Sequence, residues 1–220
     1  MQYVAMKIFI WSSMLRYKAI NVGDVANYVS WLRERFGDFK PLATRERLWE
    51  RMAQVVGREP VRGIELGVAY GYGTGWWLNR LSDSRLRWDG FDRFTGLPRA
   101  WRNLGMGTFT SHGQTPAIDD LRLTWHIGDV EDQIEVLDLN RDVPFQLIVL
   151  FDLDIYEPTA VAWQHLRDHL RPGDVLYFDE AFDSDERRIL NDLVLPAGEY
   201  AFIGATSMAL ALSVRKIFLR

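Results

Sequence analysis

Acidic residues gather at two points where chemistry needs them. An apolar run closes in Phe151-Asp152-Leu153-Asp154-Ile155-Tyr156-Glu157-Pro158-Thr159, and the next closes in Phe178-Asp179-Glu180. In open α/β sheets ligands bind outside the carboxyl ends of the strands, and paired strands lie under ~5 Å apart. If the two runs are neighbouring strands, Asp152, Asp179 and Glu180 converge. Crowded carboxylates repel unless a proton or a cation sits among them. Carboxylates and water suit Mg²⁺, Ca²⁺ or Mn²⁺. The chain has no cysteine, so thiolate metals and Cys nucleophiles are excluded. The alternative is a set of separate solvated or capping acids, and Glu157 before Pro158 reads as an ordinary helix start.

Upstream lies Ile64-Glu65-Leu66-Gly67-Val68-Ala69-Tyr70-Gly71-Tyr72-Gly73. Glycine here lets the backbone approach a ligand and turn sharply, and the helix that follows offers unpaired N–H groups. The spacing is E-x-G-x-x-x-G-x-G, not the G-x-G-x-x-G of dinucleotide sites. An acid beside the turn suits a cation, and the amino-acid part of S-adenosylmethionine is the natural candidate; a plain tight turn is the alternative. Gly90-Phe91-Asp92 follows at the distance where an acid accepts hydrogen bonds from ribose hydroxyls, unless Asp92 is a local cap. His126-Ile127-Gly128-Asp129 offers either a polar residue to an adenine edge or an ordinary turn. His165 and His169 lack the Glu of H-E-x-x-H and read as a helix-surface pair. His112 and His126 are either general bases or polar lining.

These residues need elements to hold them. Apolar runs at Gly63–Leu66, Leu86–Phe91, Leu121–Ile127, Phe145–Phe151 and Asp174–Phe178 alternate with helical patterns at Gly73–Leu81, Glu131–Leu137, Glu157–Leu170 and Ser184–Leu193. Such alternation predicts βαβ units and a mainly parallel sheet. Phe145–Phe151 is apolar nearly throughout, as a strand covered on both faces should be. Glu199–Ala205 and Met208–Lys216 predict a closing antiparallel hairpin. Before the first strand, Val22–Phe36 and Thr44–Val56 carry helical periodicity. The chain divides into a helical extension or lid over residues 1–58 and a cofactor-binding domain over 59–220. The stretch Thr95–Asp120 has the length of a functional loop; with Trp101, Phe109 and His112 it is a candidate wall of the site.

The 220 residues carry a net charge of −4, which argues against a nucleic-acid enzyme. Of 26 basic residues only Lys7, Lys18, Lys40 and Lys216 are lysines, a bias of the kind a GC-rich genome leaves. No run approaches a membrane span. The start, Met1–Ile20, is apolar but broken by Lys7, Arg16 and Lys18, without the small-residue cleavage site of a signal peptide. A cytoplasmic protein is expected.

Together the glycine loop, Phe91-Asp92-Arg93-Phe94-Thr95-Gly96-Leu97-Pro98, Asp152-x-Asp154-x-Tyr156-Glu157-Pro158-Thr159, Arg171-Pro172-Gly173 and Phe178-Asp179-Glu180 resemble the macrocin O-methyltransferase family. These are class I S-adenosylmethionine-dependent methyltransferases that act on sugars or phenols of natural products. The resemblance runs from Thr44 to the C-terminus. It implies a Rossmann-like, seven-stranded α/β fold with an antiparallel last strand. It also implies Mg²⁺ held by Asp152, Asp179 and Glu180, with Asp152 as candidate base. The family commonly has Asp-Asp where this chain has Asp179-Glu180. The first forty residues match little, and in such enzymes that region forms a lid or a dimer contact.

The expected activity is methyl transfer to a hydroxyl of a small-molecule acceptor, with a metal lowering the pKa of that hydroxyl. Asp152 or Asp154 takes the proton. Glu65, Gly67, Tyr70, Gly71, Asp92, Arg93, Gly128, Asp129 and Asp152 form the cofactor set. A homodimer is expected, with no nucleic-acid or membrane partner. The alternatives are a nicotinamide oxidoreductase, whose Tyr-x-x-x-Lys occurs only at Tyr3–Lys7, a nucleic-acid methyltransferase, and a methyltransferase-like domain that binds without turnover.

Overall fold

The computed structural model describes residues 22–218. The apolar arm Met1–Ile20 and the Tyr3–Lys7 pair lie outside the described residues. Seven strands form one sheet: β1 (Val61–Leu66), β2 (Arg87–Asp92), β3 (Leu123–Ile127), β4 (Gln146–Phe151), β5 (Val175–Phe178), β6 (Gly198–Ala205) and β7 (Leu210–Ile217), in the order β3-β2-β1-β4-β5-β7-β6. Strands β1 to β5 pair in parallel, while β7 runs antiparallel to β5 and to β6. The strand order reverses between β1 and β4, the kind of switch point where α/β sheets bind ligands.

Side-chain alternation builds a core on each face. Leu147, Val149 and Phe151 of β4 point into one layer and Ile148 and Leu150 into the other, and every residue of β4 is buried. That is why its sequence reads as a continuous apolar run. Helices α1 (Val22–Phe36), α4 (Val130–Gln133), α5 (Tyr156–Leu166) and α6 (Ser184–Ile189) serve the first layer. Helices α2 (Arg45–Gln54) and α3 (Tyr72–Arg80) serve the second. The two N-terminal helices thus straddle the sheet: Tyr28 and Leu32 of α1 bury on one face, Leu48, Trp49 and Met52 of α2 on the other. The chain passes between them around the β6 edge, where Phe36 and Phe39 pack on Phe202 and the Leu42 N–H donates to the Ala205 carbonyl at 2.8 Å.

Element ends differ from the periodic pattern where local bonds take over. β3 begins at Leu123, since Leu121 is fully exposed and the flanking Asp120 and Arg122 pair with each other. β7 begins at Leu210, because Met208 and Ala209 donate to the Thr206 hydroxyl and form the turn. α5 gives way to 3₁₀ turns at Arg167, and α6 continues as a π-helical stretch, Leu190–Val194. The loop after β2 is ordered by main-chain bonds: Leu97 and Thr108 pair, and the Ser111 and Gly113 amides both donate to the Phe94 carbonyl.

In the β1–β2 register Gly63 faces Trp88, and a methyl at Gly63 would sit 1.9 Å from that ring. Trp88 in turn stacks on Trp77 with centroids 5.8 Å apart. Gly63→Ala is expected to destabilise the fold by about 1–3 kcal/mol through overpacking. Urea denaturation checks this, and an unchanged midpoint would refute the packing account.

Candidate active site

The carboxyl ends of β1 to β5 open into one cavity of about 1090 Å³. Its walls include Glu65, Gly67, Tyr70, Asp92, Arg93, Gly128, Asp129, Asp152, Asp154, Asp179 and Glu180, so eleven positions singled out in the sequence meet in space. Gly71 is the exception: it caps α3 and packs against Pro116, and is not a lining residue.

On the glycine-loop side the geometry is set by backbone contacts. Gly67 has φ +91°, and a Cβ there would lie 1.9 Å from the Asp152 carbonyl oxygen. Only glycine permits both the left-handed turn and that approach. The Asp92 carboxylate accepts from three main-chain amides: Val68 at 2.9 Å, Ala69 at 2.7 Å and Phe94 at 2.6 Å. A carboxylate has about four acceptor positions, so Asp92 spends most of its capacity shaping the loop. Arg93 and Asp129 pair across the ends of β2 and β3 at 3.1 Å. The Tyr70 hydroxyl donates to the Thr110 carbonyl and ties the glycine loop to the long loop.

Glu65 is buried under the first turn of α3, where its Oε2 accepts from the Thr74 hydroxyl at 2.5 Å and the Trp88 indole at 2.9 Å. Burial outweighs these bonds and pushes its carboxyl up to about 7.

The opposite side is a crowd of carboxyls. Phe151 and Phe178 are partners in the β4–β5 register, so the following residues emerge together. Asp154, Asp179 and Glu180 are buried, and Asp152 is half-buried. A fifth acid, Glu186 of α6, is 1% exposed and accepts the Glu180 amide at 2.9 Å. Its sequence context, the first turn of a helix, gives no sign of this placement. Burial and the neighbouring carboxylates hold Asp152, Asp154 and Glu186 well above the usual carboxylate range.

One cation reaches in. Arg45, on the first turn of α2, places Nη2 3.1 Å from Asp179 Oδ2, while the Tyr177 hydroxyl donates to Asp179 Oδ1. Asp179 raises the Arg45 pKa further above its ordinary value. No local motif marks Arg45; the signal that finds it is tertiary. The donor set has the oxygen chemistry Mg²⁺ prefers, but the Arg45 guanidinium already sets a positive charge against Asp179. Among the described residues no group of three or more acids or histidines is arranged to hold a metal ion. The residues as placed do not fit a metal.

Other candidates stand apart. His126 bonds Asp89 at 2.9 Å and stacks on Phe91 at 4.2 Å, and His165 of α5 lies 6.0 Å from His169 of the 3₁₀ turn that follows. Of the long-loop residues Phe109 lines the cavity, whereas Trp101 is buried with Leu97 and Ile155, and His112 is not a lining residue.

Because the folded Glu65 carboxyl titrates near 7 rather than 4.5, its contribution to stability is fully present below about 4.5 and is lost as pH rises through about 7. The stability of Glu65→Gln relative to the parent is therefore expected to rise between those pH values, by up to about 3 kcal/mol. Urea unfolding at pH 4.5 and pH 8 measures this, and a pH-independent difference would refute it.

No protein-family model matches the chain, and no curated protein sequence matches it. Solved structures do. Calicheamicin methyltransferase CalS11 is 23% identical, with 76% of each chain covered and a TM-score of 0.60. A second CalS11 structure, described as a TDP-rhamnose 3'-O-methyltransferase, is 19% identical with a TM-score of 0.55, covering 88% of this chain and 87% of that one. The O-methyltransferase NovP is 16% identical with a TM-score of 0.51, covering 84% and 87%. The chain has the Rossmann-like, seven-stranded α/β fold of these methyltransferase structures, the fold its sequence resemblance implies.

Proposed function

We propose that this chain is an S-adenosylmethionine-dependent O-methyltransferase acting on a hydroxyl of a small-molecule acceptor, a natural-product sugar or phenol. The observation that carries this is the cavity at the switch point of the sheet, with the glycine loop on one side and the buried carboxyls on the other. On this reading the remaining acceptor position of Asp92 takes a ribose hydroxyl. Gly67, Gly128 and the Arg93–Asp129 pair frame the nucleoside. Asp152 or Asp154 accepts the hydroxyl proton as the oxygen–methyl bond forms and the sulfur–methyl bond breaks, leaving S-adenosylhomocysteine. A cavity of about 1090 Å³ exceeds the space one drug-sized ligand fills, which supports cofactor and acceptor bound together. The sugar activity in the CalS11 description makes nucleotide sugars the first acceptors to try.

Calorimetry with S-adenosylhomocysteine is expected to show saturable binding. Mass spectrometry of nucleotide-sugar and phenol panels is expected to show a methylated product. Asp152→Asn, and Asp154→Asn separately, identify the base: the one that accepts the proton loses about 10²–10⁴-fold in turnover while still binding cofactor. Absence of binding at millimolar ligand would overturn the reading. Binding without turnover on any acceptor would favour a non-catalytic binding domain.

A further inference from the structure

We propose that Arg45 is a built-in cation of the acidic cluster, and that a divalent metal ion and the Arg45–Asp179 ion pair exclude one another. The consequence for catalysis rests on the methyltransferase reading; the exclusion itself does not.

Two observations carry it. First, Asp179 is 4% exposed and both its oxygens are taken, Oδ2 by Arg45 at 3.1 Å and Oδ1 by the Tyr177 hydroxyl. A metal ion on Asp179, at a ligand distance of about 2.0–2.6 Å, would set its charge beside that of the guanidinium, and like charges that close repel. Second, the cluster holds more acceptor capacity than Arg45 serves. Glu186 faces Glu180, Asp152 and Asp179, yet its Oε1 is buried without a hydrogen-bond partner. A carboxyl oxygen taken from water without a hydrogen-bond partner is unfavourable, so the cluster has unmet demand for positive charge or protons that Arg45 alone does not fill. Arg45 can make way without rebuilding the fold. Its helix is anchored by the Thr44 cap and by buried Leu48 and Trp49, while its side chain is 33% exposed and borders the open cavity. Rotation of that long side chain suffices.

The test is Mn²⁺ titration of the full-length chain, with free Mn²⁺ read by electron paramagnetic resonance. If Arg45 holds Asp179 in at least nine-tenths of molecules, Arg45→Met is expected to bind Mn²⁺ about tenfold more tightly than the parent. Adding Asp179→Asn should abolish the gain. Arg99→Met removes an equal charge from the cavity wall but touches no cluster carboxyl, and is expected to change affinity less than about twofold. Arg45→Lys, which keeps the charge but loses the planar fork, should fall between Met and the parent; it serves alone if the Met variant does not fold. Equal affinity in the parent and both Arg45 variants, or an equal gain from Arg99→Met, would overturn the proposal. S-adenosylhomocysteine calorimetry on the same samples separates the two readings. Cofactor binding without the Mn²⁺ contrast overturns the Arg45 assignment alone, and the Mn²⁺ contrast without cofactor binding overturns the methyltransferase reading alone.

Discussion

The close approach of Gly67 to Asp152 governs the geometry of this molecule's cavity. The ladder between β1 and β4 continues one step past the strands, with the Asp152 amide donating to the Leu66 carbonyl at 2.8 Å. There the two chains part. The segment after β1 turns left-handed at Gly67 and enters α3, and the segment after β4 enters the acidic stretch before α5. A side chain at position 67 would collide with the Asp152 backbone and push these two walls apart. The glycine loop and the carboxyl crowd are opposed because one residue has no Cβ.

Electrostatics is the second constraint. Among the acids gathered beyond β4 and β5, burial and mutual repulsion favour the neutral forms of Asp152, Asp154 and Glu186. Arg45 supplies a positive charge from a helix that precedes the whole sheet. Nearby, Arg102 of the long loop pairs with the buried Asp183 and lies over the Phe182 ring. Arg45, on the N-terminal helix α2, thus balances an acid of the cavity wall, while Arg102, on the long loop, balances the acid that caps α6. Removing one partner of such a pair leaves a buried charge alone, which is more disruptive than the pair is stabilising.

Much of the fold was legible because its signals are local. β4 reads as buried because both faces are covered, and the final hairpin reads as antiparallel because no helix fits between its runs. The convergence of Asp152, Asp179 and Glu180 follows once two apolar runs are taken as neighbours. The roles of individual acids were less legible. Asp92 stands where a ribose ligand should, yet three amides claim most of its carboxylate. Glu65 reads as facing a cation but is held under α3 by Thr74 and Trp88. In each case spacing gives the position, while the hydrogen-bond partners come from residues distant in sequence or from backbone amides without a side-chain signature.

By itself the sequence determined the alternation of strands and helices, the glycine turn and the set of acids at the strand ends, because each depends on periodicity or on one residue's conformational freedom. Tertiary structure alone decided that α1 and α2 straddle the sheet around β6, since both helices are amphipathic and either face would accept them. It alone brought Glu186 into the carboxyl crowd and set Arg45 against Asp179, a pairing across more than a hundred residues. Charges act through space, and a pattern read along the chain carries no record of which distant opposite charge will lie within 3.1 Å.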